Sequence, residues 1–142
     1  MSILKKEVLD ALNDSNVVGY KSYIISIRQT GIGVPLTLIV QNNTTGVVPS
    51  STTSGTGAYN ISSPNLFPVN DKVWMAWGGG TNGPIISLTT GSGAVIGYLQ
   101  MSRASADDIE ITCWNLVGTS TDLFTLIGAV RKVMLPQIRI YN

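Results

Sequence analysis

The sequence predicts a single, mainly β domain, either an antiparallel β-sandwich or a jelly-roll-like fold, preceded by one short N-terminal helix. Three observations support this prediction. The chain has 142 residues, a length that suits one domain with a sizeable core. Short stretches of alternating apolar and polar residues recur along it, separated by glycine, proline and asparagine turns instead of helices. Isoleucine, valine and threonine make up about three residues in ten, a composition that strands favour.

The helix is predicted at residues 3 to 14. Leu4, Val8 and Leu12 recur at helical spacing, and charged and amide side chains occupy the other side. A helix this short is marginal in water on its own, so its apolar stripe has to pack on something. The stripe either lies across the chain's own β domain or docks on a neighbouring subunit, and we favour docking. We therefore divide the chain into a helical arm at residues 1–16 and a β-sandwich domain at residues 17–142.

From Val17 onward the pattern predicts strands. In chain order they cover residues 22–28, 36–41, 58–62, 71–77, 85–89, 94–101, 109–114 and 138–141. Gly91-Ser92-Gly93 predicts a hairpin between two of them. Residues 49–57, rich in serine, threonine and glycine, and residues 78–84, with three consecutive glycines, are predicted as surface loops. Residues 119–122 predict a turn that also suits the start of a short helical segment at 123–130.

Composition excludes most catalytic chemistry. The chain has no histidine, and its one cysteine, Cys113, has no second thiol with which to form a disulfide or a zinc site. The one acidic cluster, Asp107, Asp108 and Glu110, is better interpreted as a solvated hairpin turn than as a calcium site or a glycosidase acid–base pair. We therefore predict that the chain is not an enzyme, with no catalytic, metal or cofactor site, and that Cys113 is a buried, inert thiol.

Charge and hydropathy predict the kind of partner. The net charge of +1 offers no basic excess for nucleic acid. The longest apolar runs, 32–40 and 123–130, fall far short of a membrane span, and the first residues do not resemble a secretory signal. Only 12% of residues are charged and the mean hydropathy is +0.25, values that favour surfaces buried against other subunits. We therefore expect a homo-oligomer.

Several sequence blocks resemble small β-rich proteins encoded among the virion genes of tailed bacteriophages. These blocks are Tyr20-Lys21-Ser22-Tyr23, Arg28-Gln29-Thr30-Gly31 with Pro35, residues 42–46, residues 57–61 and Ile138-Arg139-Ile140-Tyr141-Asn142. The resemblance implies a virion structural protein, such as a head decoration, head fibre or tail-associated component, assembled in the host cytoplasm. Its partners would be copies of itself and other virion proteins. The candidate interface residues are Leu4, Val8, Leu12, Ile138, Ile140 and Tyr141.

The alternative is a receptor- or glycan-binding β-sandwich module that uses loops 49–57 and 78–84. Its binding platform would draw on four aromatic residues, Tyr59, Trp74, Trp77 and Trp114. Trp74 and Trp77 are three residues apart, however, so a regular strand places them on opposite faces. Core packing and subunit contact are therefore the favoured roles for these aromatic residues.

Overall fold

The computed structural model describes residues 19–75, 78–79 and 84–142, and this part of the chain is mainly β. The helix predicted at 3 to 14, the arm at 1–16 and Trp77 lie outside the described residues, and so does most of the loop predicted at 78–84. Within the described residues, two antiparallel sheets are accompanied by one 3-10 turn and one short α-helix.

The elements follow one another along the chain in a simple order. The strands are β1 (Tyr20–Arg28), β2 (Thr37–Asn43), β3 (Ser50–Gly55), β4 (Ala58–Ser62), β5 (Val73–Met75), β6 (Gly78–Gly79), β7 (Ile85–Thr89), β8 (Val95–Arg103), β9 (Asp108–Asn115), β10 (Val133–Met134) and β11 (Ile138–Tyr141). The 3-10 turn covers Asn70–Lys72 and the helix α1 covers Leu123–Ile127. No helix in the described ranges has the length and apolar character needed to cross a bilayer.

The six-stranded sheet is built around β1. One edge of β1 pairs with β2, and the other edge pairs with β11 along its first half and with β10 near its end. β11 pairs in turn with β5, and β5 pairs with β6. The first described strand and the last strand of the chain are therefore neighbours in one sheet.

The five-stranded sheet has the order β3-β4-β9-β8-β7, with every pair antiparallel. The β7–β8 hairpin forms where the sequence predicts it, with Gly93 at a φ of 89° in the turn. Alternation along the central strand β9 buries Ile109, Ile111 and Cys113 completely, so that face points into the core. Its other face carries Trp114, which lines the candidate site described below.

One hydrophobic cluster contains the buried side chains of both sheets. Tyr23, Ile25 and Ile27 from β1 belong to the same cluster as Ile111 and Cys113 from β9. Full burial of an isoleucine stabilises the folded chain by roughly 1.5–3 kcal/mol relative to exposure, so this shared cluster is the main stabilising feature of the described residues. The predicted burial of Cys113 is confirmed.

The prediction of a surface loop at residues 49–57 is wrong. Residues Ser50–Gly55 form strand β3, which pairs with β4 at the edge of the five-stranded sheet. Most of its side chains are exposed on this edge strand, so no alternation of apolar residues marks it in the sequence. The short helical segment predicted after residue 122 is present as α1.

Candidate functional site

A groove on the outward face of the five-stranded sheet is the candidate functional site. Tyr98 of β8 lies directly opposite Trp114 of β9, and both alternate with residues that are buried in the core. The groove has a volume of about 380 Å³. We call it the outer groove, and it is lined by Ile85, Tyr98, Gln100, Trp114, Asn115, Leu116 and Gly118.

Among the described residues, the lining of the outer groove is apolar and aromatic, with two side-chain amides and no charged side chain. Ile85 at one rim and Leu116 at the other are large hydrophobic residues exposed to solvent. Gln100 lies in register between Ile85 and Thr112, and therefore sits one position beyond the aromatic pair on the same face of β8. The groove thus combines flat ring surfaces with neutral polar groups.

A tight turn fixes the Leu116 rim of the groove. Asn115 Oδ1 accepts hydrogen bonds from the backbone N–H groups of Val117, at 3.1 Å, and Thr119, at 3.0 Å. The N–H of Gly118 donates to the Asn115 carbonyl, and Gly118 has a φ of 81° that favours glycine. Asn115 therefore orders the turn and is held at the groove by it.

The chain that leaves this turn is held by a buried carboxylate. Asp122 Oδ1 accepts a hydrogen bond from the Gly57 N–H and Asp122 Oδ2 accepts one from the Gly33 N–H, both at 2.7 Å. Two connections, one between β1 and β2 and the other between β3 and β4, are thereby joined to the segment before α1. A buried carboxylate is stable when oriented N–H groups replace its hydration.

Gln29 and Tyr59 complete this arrangement, and we call Gln29, Tyr59 and Asp122 the polar hub. The Tyr59 hydroxyl donates to Gln29 Oε1 at 2.9 Å and accepts from the Leu123 N–H at 3.0 Å, while Gln29 Oε1 also accepts from the Phe124 N–H. Because the Asp122 side chain bonds to glycines instead of capping α1, Tyr59 and Gln29 satisfy the first N–H groups of the helix. Burial raises the pKa of Tyr59, which therefore stays protonated as a donor.

A second aromatic cluster lies on the six-stranded sheet. The Arg139 guanidinium carbon is 4.5 Å from the Tyr20 ring centroid and 4.9 Å from the Trp74 ring centroid, so the cation lies within reach of both rings. Arg139 Nε also donates to Gln137 Oε1 at 3.0 Å. The Arg139 side chain already contacts these rings, which are therefore less open to a ligand than the rings of the outer groove.

The structure separates the residues that the sequence analysis grouped as possible sites. Tyr59 is fully buried, and Trp74 and Trp114 lie on different sheets, so Tyr59, Trp74 and Trp114 cannot share one platform. No group of three acidic, histidine or cysteine side chains in the described part of the chain is placed to hold a metal ion. Asp107 accepts from the Asn65 N–H, while Asp108 accepts from the hydroxyls of Ser62 and Ser105.

Three of the candidate interface residues lie within the described chain. Ile138 and Ile140 are buried in the chain's own core, a position that explains their apolar character without a partner, and Tyr141 is exposed. Leu4, Val8 and Leu12 lie outside the described residues. Tyr98 and Asp122 were not identified from the sequence. The hairpin predicted around Gly91-Ser92-Gly93 was the available signal for Tyr98, because it places β8 in the sheet.

No protein family, curated protein or solved structure matches the chain. The resemblance to virion proteins of tailed phages therefore stays a prediction from the sequence blocks alone.

Proposed function

We propose that the chain is a structural protein of a tailed-phage particle and acts by self-association and by binding other virion proteins, not by catalysis. In this proposal its two sheets pack face to face as a β-sandwich, since their buried side chains belong to one hydrophobic cluster. The protein is assembled in the host cytoplasm and resides in the virion. The assignment to a phage particle rests on the sequence resemblance. The proposed self-association rests on large apolar side chains that are exposed to solvent.

The observation that supports self-association is the exposure of large apolar side chains on connecting segments. Val48 and Val117 are each 84% exposed and Val130 is 81% exposed. Single exposed apolar residues are common on monomers, but here they occur in a chain of which only 12% is charged. Burial of such side chains between subunits favours association.

Sedimentation velocity on the purified protein at micromolar concentration tests this proposal. We expect trimers or larger closed assemblies, and we expect the double variant Val117→Asp, Val130→Asp to shift the distribution toward monomer. The double variant Thr52→Asp, Ser54→Asp, which places the same two charges at exposed polar positions of β3, serves as the control and should leave the distribution unchanged. The proposal is refuted if the purified protein stays monomeric and a tagged copy of it is not incorporated into intact phage particles.

A further inference from the structure

We propose that the outer groove is a binding site for a neutral saccharide. A pyranose ring would stack on the Trp114 and Tyr98 rings, and its hydroxyl groups would bond to the side-chain amides of Gln100 and Asn115. This inference does not depend on self-association, because the groove belongs to one copy of the chain.

The aromatic pair supplies the apolar part of this site. Tyr98 and Trp114 are cross-strand neighbours on the outward face, and both line the same cavity. Aromatic faces carry partial negative charge, and the C–H groups on one face of a pyranose carry partial positive charge, so the two surfaces attract at contact distance. The cavity volume of about 380 Å³ lies within the range of small-ligand pockets.

The two amides supply the polar part. The Gln100 side chain makes no hydrogen bond to any described residue, although it lies beside the aromatic pair. Asn115 Oδ1 is occupied by the two N–H groups of its turn, and those bonds hold the side chain in place while its Nδ2 group remains a donor. An amide that is already oriented loses little conformational entropy when it binds a hydroxyl group.

The charge of the groove selects among possible ligands. None of the described residues that line it carries a charge, so this lining complements a neutral ligand and does not pair with a phosphate, sulfate or carboxylate. A purely aliphatic ligand would cover the Gln100 and Asn115 amides without replacing their bonds to water, which is costly. A saccharide satisfies both the rings and the amides.

A second copy of the chain is the competing occupant. The groove is a concave site between the Ile85 rim on β7 and the Leu116 rim on the Asn115 turn. An apolar face of another copy would cover the Gln100 and Asn115 amides without replacing their bonds to water, which is costly, whereas the hydroxyl groups of a sugar replace those bonds. The two amides therefore favour a saccharide over an apolar face of a second copy.

The experiment screens the full-length protein against an array of neutral hexose and N-acetylhexosamine oligosaccharides, with sialylated and sulfated glycans as anionic comparators. The strongest neutral binder is then titrated by calorimetry. We expect Trp114→Ala to raise the dissociation constant about thirtyfold or more, as for a central tryptophan in an interface. Trp74→Ala, on the outward face of the other sheet, is the matched control and should leave the dissociation constant unchanged.

A second variant guards against loss of folding in Trp114→Ala. Gln100→Leu keeps a side chain of similar size on β8 and removes only the amide, and we expect it to weaken binding about tenfold with an unchanged melting temperature. The proposal is overturned if no neutral oligosaccharide binds, if anionic glycans bind better, or if binding survives both groove variants. It is also overturned if Trp114→Ala abolishes self-association while the wild-type protein binds no sugar, because the groove is then covered by a second copy.

Discussion

Asp122 joins parts of the chain that are far apart in sequence. Its carboxylate is 3% exposed and accepts hydrogen bonds from Gly33, 89 residues away, and from Gly57, 65 residues away. Within the described chain its hydrogen-bond donors are these two backbone N–H groups and not a cation, and the Tyr59 hydroxyl oxygen lies 3.4 Å from Asp122 Oδ1. The negative charge is therefore stabilised by oriented dipoles, and the connections that supply them are fixed in place.

Asp122→Asn tests the importance of these bonds. The substitution replaces one carboxylate oxygen by an NH₂ group, which faces a backbone N–H and cannot accept its hydrogen bond. We expect the free energy of unfolding in urea to fall by about 2–4 kcal/mol, since a buried donor loses its partner and the second bond loses its charge. Asp71→Asn, at an exposed position of the 3-10 turn, is the control and should change the free energy very little. Equal stability of the two variants would contradict this role for Asp122.

Cys113 is expected to be unreactive in the folded protein. Burial raises the pKa of its thiol from 9.0 to about 12, and the nearby Asp122 carboxylate adds to the effect. The thiolate is the reactive form, so a disulfide reagent at pH 8 should modify the thiol only after denaturation. Rapid modification of the native protein would contradict this expectation, because it would show that the core-facing side of β9 readily becomes accessible to the reagent.

The same shift predicts how stability depends on pH. The folded state keeps the Cys113 proton to higher pH than the unfolded state, so the contribution of the buried neutral thiol is complete below the unfolded pKa. It is lost as pH rises from about 9 toward about 12. Urea denaturation of wild type and Cys113→Ala between pH 8 and pH 10 should therefore show a steeper decline for wild type. If wild type and Cys113→Ala lose stability equally over this pH range, the raised pKa of Cys113 is contradicted.

At the residue level, local patterns predict burial better than they predict polar contacts. The position of Cys113 in a cleanly alternating strand identifies it as a core residue, and the structure buries it. Asp122 looks like an ordinary turn residue, because aspartate is common in turns and its hydrogen-bond partners are not near it in sequence. Only the folded chain brings Gly33 and Gly57 to it.

Among the elements, β3 shows why some strands are not predicted from the pattern of apolar and polar residues. Its serine and threonine side chains are mostly exposed, and the strand is held by backbone pairing to β4. A strand without an inward apolar face has the same composition as a loop. By contrast, β9 and the β7–β8 hairpin were predictable, because apolar alternation or turn glycines mark them.

The turn between β3 and β4 supplies a prediction for this element. Gly57 has a φ of 68°, and a Cβ atom there would lie 2.6 Å from the backbone N and O atoms of Thr121. Gly57→Ala should therefore lower the free energy of unfolding by about 2–4 kcal/mol, through backbone strain and a clash with main-chain atoms. Gly55→Ala is the matched control, because a Cβ at Gly55 meets nothing within 4 Å. Similar melting temperatures for both variants would contradict the close packing of this turn against Thr121.

For the whole molecule, the fold class was predictable but the strand order was not. The mainly β class follows from alternation and turn residues along the chain. The pairing of β4 with β9 joins Asn60 to Glu110, and the pairing of β1 with β11 joins Tyr20 to Tyr141. The local periodicity of a sequence does not indicate whether two strands so far apart will pair. The outer groove follows from strand order, because it needs β7, β8 and the end of β9 to be neighbours.

The pairing of β1 with β11 leads to a prediction about the two ends of the chain. Ile138 and Ile140 of β11 are buried in the core cluster, whereas residues 1–16 lie outside the part of the chain that the structure describes. If the arm predicted from the sequence docks on a neighbouring subunit, deletion of residues 1–16 should leave the melting temperature nearly unchanged and weaken only self-association. Deletion of residues 138–142 is the comparison and should unfold the protein, because it removes two buried isoleucines worth roughly 1.5–3 kcal/mol each and exposes an edge of β1. Calorimetry on both truncated proteins measures the melting temperature, and sedimentation measures self-association. A large loss of melting temperature after removal of residues 1–16 alone would show that the arm packs on its own β domain.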